Sequence, residues 1–162
     1  MTGALVAAGL LLAVVAFALA FASWRSMACG AGAAALTCLA AVYWVPVQLF
    51  PWAFAGCWIS LILTALLVYF PQAQRRFAWV APLLGVNGGL WAGTVIATEA
   101  SLADSVPVVL VLLLCVPARL IVGRGWSLAL RIVTSWLLAV ALLVGSIPLL
   151  VVHPGYVPDH KE

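Results

Sequence analysis

The sequence predicts an all-α protein, a polytopic membrane helix bundle of six transmembrane helices joined by short loops, and three observations carry that prediction. First, 67% of the 162 residues are hydrophobic and 7% are charged, against about 25% charged in soluble domains. Four acids and seven Lys or Arg could not solvate a domain of this size, which is mostly surface. Second, Pro, Gly and polar residues cut the chain into six apolar runs, each near the ~20 residues that cross a bilayer. Third, the arginines recur only in alternate connections. Closed barrels are excluded, because alternating strand-length segments are absent and lipid tolerates little backbone other than helices and barrels.

The spans are expected at residues 3–22, 27–46, 52–70, 77–98, 106–122 and 126–152. Each is apolar all round rather than striped, as lipid-embedded helices are. The first has Ala20-Phe21-Ala22 at its end, which resembles a signal cleavage site. It lacks a basic leading segment, however, and exceeds the ~7–15 residue core of a secretory signal, so it is read as a span. Ser23-Trp24-Arg25-Ser26 closes it, and Pro46 and Pro51 bracket an uncharged turn around Gln48. Residues 71–76 form the clearest polar loop, residues 99–105 follow the fourth span, and Gly123-Arg124-Gly125 separates the last two. Residues 1–152 thus make a transmembrane domain, and residues 153–162 a polar, Pro-containing tail that cannot continue a helix in lipid.

Orientation follows from the arginines, because basic residues near span ends stay on the cytoplasmic side. Arg25, Arg75, Arg76, Arg119, Arg124 and Arg131 all fall on one side of a six-span map. Glu99, Asp104, Asp159, Glu162 and Lys161 fall on the other. Both termini are therefore expected on the outer, periplasmic side. The use of Arg over Lys, with abundant Ala, Leu and Val, points to a GC-rich bacterium and its inner membrane. Trp24, Trp79 and Trp126 are placed at the cytoplasmic interface, with Trp44, Trp52 and Tyr43 at the outer one, where amphipathic rings settle. Trp58 lies slightly deeper; Trp91 and Trp136 lie deeper still and are expected to pack in the bundle, their indole N–H groups bonded to a carbonyl or hydroxyl.

The fourth span carries two faces. Gly85, Gly89 and Gly93, four residues apart, form a small-residue stripe suited to close helix packing. Nearly opposite lie Asn87, Trp91, Thr94 and Thr98. An Asn amide facing lipid is costly, so Asn87 is expected to face protein, either in an interhelical hydrogen bond or lining a polar cavity. On the sixth span Arg131 is placed about 7.5 Å past Trp126, close enough for its guanidinium to snorkel to the interface. Failing that, it needs an anionic partner. Arg119, Arg124 and Arg131 together form a cluster expected to meet lipid headgroups or another anion, anionic lipid at the cytoplasmic face above all.

Missing residues exclude more than the present ones support. Neither His153 nor His160 lies within a span, so no haem cofactor or His-rich metal relay is expected. Cys29, Cys38, Cys57 and Cys115 form no C-x-x-C pair, which argues against a metal site and thiol redox chemistry. No catalytic residues are assigned: a Ser nucleophile would lack a base, and no carboxylate pair lies within a span. The glycines of the fourth span lack the Lys-Ser/Thr of a phosphate loop, and no nucleic-acid partner is expected. Two readings remain. In the first, the chain is a non-catalytic structural or assembly subunit of a larger inner-membrane complex, its partners being the lipid bilayer and other membrane subunits or further copies of itself. In the alternative it is a small-solute transporter or channel for a neutral or anionic substrate, built from two inverted three-helix halves, with Asn87, Trp91, Thr94 and Arg131 as substrate contacts.

Overall fold

A computed structural model describes residues 3–72, 77–99 and 102–146, and among them only helices and turns occur. Arg75 and Arg76, the end of the sixth expected span and the 153–162 tail lie outside the described residues. The helices are α1 (Gly3–Leu19), α2 (Trp24–Trp44), α3 (Phe50–Tyr69), α4 (Val80–Glu99), α5 (Leu102–Leu110), α6 (Cys115–Gly123) and α7 (Ser127–Ser146). A 3-10 turn, Val47–Leu49, precedes α3, and another, Val111–Leu114, joins α5 to α6 into one rod.

Among the described residues five stretches are long and apolar enough to cross a membrane: α2, most of α3, most of α4, Ser105–Gly123 and α7. The first expected span is the exception. Helix α1 has 17 residues, about 25 Å at the helical rise, less than the ~30 Å of a hydrocarbon core. It ends at Leu19 because the chain tightens there: Phe21 and Ala22 donate to the carbonyls of Ala18 and Leu19 at 3.1 and 3.0 Å. Ser23 then caps α2, its Oγ accepting the Ser26 N–H at 3.2 Å. The helix therefore starts three residues before the run read from hydropathy. Pro51 sits in the first turn of α3, where its missing N–H has no helical partner to lose. At the other end Pro71 disfavours helical backbone at Phe70, whose φ and ψ are −113° and 59°.

The fifth span is one apolar run in sequence but three elements in the structure. Pro117 has no N–H for the carbonyl of Leu113, four residues back, and its ring crowds that carbonyl. The preceding turn accordingly tightens to 3-10 geometry over Val111–Leu114. The rod ends at a glycine: Gly125 has φ 83°, Trp126 donates to Ile121 at 3.1 Å, and Gly125 donates to Val122 at 3.0 Å. That pair of bonds is a Schellman motif, which places the penultimate residue in the left-handed region.

Helix α1 runs through the middle of the bundle, and every other helix packs against it. Leu11, Leu12, Val14, Val15, Ala16 and Leu19 are fully buried and, at about 100° per residue, cover more than half of the helix circumference, while Val6, Leu10 and Phe17 on the remaining side are partly exposed. The residue sizes allow this. Ala7, Ala8, Ala13, Ala16 and Ala18 are spread over its circumference, so the helix is thin enough for several neighbours to approach closely.

The surrounding helices are sorted by size rather than polarity. Helix α2 turns Gly30, Ala34, Cys38 and Ala41 inward and Leu36, Tyr43 and Trp44 outward. Helix α3 buries Ala53, Cys57, Leu61, Ala65 and Val68 and exposes Ile59, Leu63 and Leu66. Helix α7 buries Leu130, Thr134 and Ala141 and exposes Ile132, Leu142 and Leu143. Lipid tails are as apolar as Leu, so only tighter atomic contact favours helix over lipid, and small side chains bring backbones together. Trp136 is corrected on the same ground: it is 73% exposed, on the outer face of α7, not packed in the bundle.

Candidate functional site

The two faces of α4 meet two different helices. Against α2 it runs parallel, with Gly85 over the Gly30 carbonyl, Gly89 over the Ala34 carbonyl and Thr37 Oγ1, and Gly93 over the Cys38 carbonyl and Ala41. The repeat of four is common to both helices, so the register holds for more than two turns. From the other side, a Cβ on Gly30 would lie 2.7 Å from the Ala81 oxygen. Thr37 donates to Ala33 at 2.7 Å and lies 3.4 Å from the Val86 carbonyl of α4.

Against α3 the packing is antiparallel. Trp91 lies on Gly56, whose hydrogen leaves room for the indole face, and the Ser60 hydroxyl is 3.4 Å from Asn87 Oδ1. The neighbouring hydroxyls bond within their own helices: Thr94 to Leu90 and Thr64 to Ser60, each at 2.7 Å. Such a bond to the carbonyl one turn back satisfies the donor without a partner helix, and Thr64 and Thr94 are buried. Thr98 donates to Val95 at 2.7 Å and is exposed. Gly56, Ser60 and Thr64 thus form a small polar stripe on α3, facing that of α4. Their four-residue spacing is present in the sequence, as is the Gly30, Ala34, Cys38 spacing on α2. Neither stripe has the triple-glycine pattern that singles out α4.

Arg131 does not join Asn87, Trp91 and Thr94. Its carbonyl accepts from the Tyr69 hydroxyl at 3.3 Å, nine residues beyond Ser60 and so about 13 Å further along α3. Tyr69, Phe70, Pro71, Gln72 and Arg131 line a pocket of about 400 Å³ open to the surface. The Arg131 side chain is half-buried, and its Nε is buried with no hydrogen-bond partner.

Arg119 and Arg124 lie at the other site. Arg119 Nη1 donates to the Ala20 carbonyl at 3.1 Å, placing its charge at the C-terminal end of α1, where the carbonyls lack helical partners and the helix dipole is negative. Arg124 is exposed, and with Arg119, Trp24 and Gly123 it lines a separate open pocket of about 510 Å³. Arg119 and Arg124 thus share one pocket, while Arg131 lines another.

Trp58 packs edge-on to Phe54, ring centroids 5.6 Å apart, and lies against Gly145 of α7. Its indole nitrogen is buried without a partner. Cys57 Sγ is 3.7 Å from the Ala7 carbonyl of α1, and all four cysteines are free thiols. Among the described residues no three His, Cys, Asp or Glu side chains gather as a metal site would require. Comparison of the chain with protein families, curated proteins and solved structures gave no match.

Proposed function

We propose that the chain is a six-pass inner-membrane protein acting as a non-catalytic structural or assembly subunit of a larger complex, with its arginines on the cytoplasmic face and both termini outside. In this map α1 is the first pass, short because it is wrapped by its neighbours rather than by lipid. The observation that carries the reading is the position of α1. An apolar helix, fully buried over more than half of its circumference and packed against by every other helix, fills the axis where a carrier acting alone would place a solute path. The polar face of α4 is closed against Gly56 and Ser60 of α3, which supports the same view.

Purification of the intact protein in mild detergent tests it. A stoichiometric membrane partner is expected, with the complex unchanged by Asn87→Ala. Solute uptake by vesicles containing only this chain, abolished by Asn87→Ala or Arg131→Ala, would reverse the assignment. A second reading, transport of a neutral or anionic solute, is favoured by one feature: the open pocket at Arg131, whose charge suits an anion.

A further inference from the structure

We propose that the pocket formed by the end of α3 and the second turn of α7 binds a phosphate group, carried by an anionic lipid headgroup or present as a free phosphate, through Arg131. The proposal is independent of the subunit reading. Arg131 Nε is buried and has no hydrogen-bond partner, yet the side chain borders an open pocket of about 400 Å³. With Nε buried, a ligand in the pocket meets the terminal Nη–H groups of the guanidinium, a planar pair that matches two oxygens of a phosphate.

A protonated Arg within a membrane span needs a counter-charge, and among the described residues the acids are placed elsewhere. Glu99 closes α4 and Asp104 falls in α5, at the opposite end of the bundle from Arg131. The remaining walls suit the ligand. Gln72 is exposed and brings amide donors, while Phe70 and Pro71 add apolar surface of the kind acyl chains prefer. The Tyr69 hydroxyl, bonded to the Arg131 carbonyl at 3.3 Å, ties the two walls together. The pocket at Arg119 differs, because that guanidinium already bonds the Ala20 carbonyl.

The test uses the full chain in bilayers of phosphatidylcholine mixed with phosphatidylglycerol, released into the gas phase for native mass spectrometry. Phosphatidylglycerol is expected to be retained over phosphatidylcholine. Arg131→Gln should lower that preference about tenfold, and Arg131→Lys should lower it as well, because a compact ammonium has no planar fork. Arg124→Gln should leave it unchanged. Circular dichroism and gel filtration confirm that each variant is folded. Inorganic phosphate that displaces the lipid in an Arg131-dependent way assigns the site to free phosphate; failure to displace it assigns the site to the headgroup. No preference in the parent chain for either phosphatidylglycerol or inorganic phosphate, or full retention in folded Arg131→Lys and Arg131→Gln, overturns the proposal.

Discussion

Replacing Gly85 with Ala probes the contact on which the α2–α4 pair rests. A Cβ at that position would lie 2.9 Å from the Gly30 carbonyl carbon and 3.2 Å from the Ala34 amide nitrogen, with the Gly30 oxygen nearer still. Ordinary contact between carbon atoms begins near ~3.5 Å, so the shortfall is about half an ångström or more. The atoms in the way are backbone, which cannot rotate aside, and relief requires the two helices to move apart. A gap of about 0.5–1 Å forfeits a quarter to a half of each dispersion contact along the seam. Overpacking of this kind costs about 1–3 kcal/mol, and Gly85→Ala is expected within that range. Gly89→Ala should behave alike, its Cβ meeting the Ala34 carbonyl and Thr37. The double variant should lose less than the sum, since helices already separated by one Cβ accommodate the second more cheaply. Gly32→Ala is the control: it sits on α2 with nothing within 4 Å of an added methyl and should be neutral or gain up to about 1 kcal/mol from helix propensity. Reversible unfolding in mixed micelles, followed by fluorescence of the eight Trp, measures all four. Equal stability of Gly85→Ala and Gly32→Ala would refute the packing argument.

Three further outcomes are expected. Arg119→Ala removes the donor to the Ala20 carbonyl and should destabilise the same unfolding transition by about 1.5 kcal/mol, the scale of a hydrogen bond to a charged group; no change would mean that this contact does not hold the end of α1. Gly125→Ala meets no neighbour within 4 Å but keeps φ 83°, so its cost is purely conformational, about 1 kcal/mol, and Gly125→Asn should cost less. Of the four thiols, Cys29 alone is exposed: maleimide treatment of the folded protein should give one adduct by intact mass, lost in Cys29→Ser, and reaction at Cys38, Cys57 or Cys115 at a similar rate would contradict their burial.

Much of the membrane architecture is legible in the residues alone. Composition dictates the solvent, and Pro46, Pro51, Pro71 and Gly125 mark real ends because each constrains backbone dihedrals locally, whatever surrounds it. The glycine stripe of α4 stands out for the same reason: three residues without Cβ at a spacing of four define a face by themselves. Ser23 reads in sequence as part of a break between spans, whereas it is the cap that starts α2 three residues earlier than hydropathy places it.

What hydropathy could not supply is the order of the helices around an axis. Lipid and protein interior are equally apolar, so a run of Ala, Leu and Val carries no mark of which it will touch. The information lies in side-chain size, and size acts only between two surfaces. Thus α1 reads as an ordinary lipid-facing span until its neighbours close around it, Trp136 reads as buried until α7 turns it outward, and Gly56 and Ser60 become meaningful only when Trp91 and Asn87 arrive opposite them. The same holds for the arginines, whose shared side of the chain is a matter of counting, whereas their division between one pocket lined by Arg119 and Arg124 and another lined by Arg131 is set by which carbonyl or cavity the packed helices bring within reach.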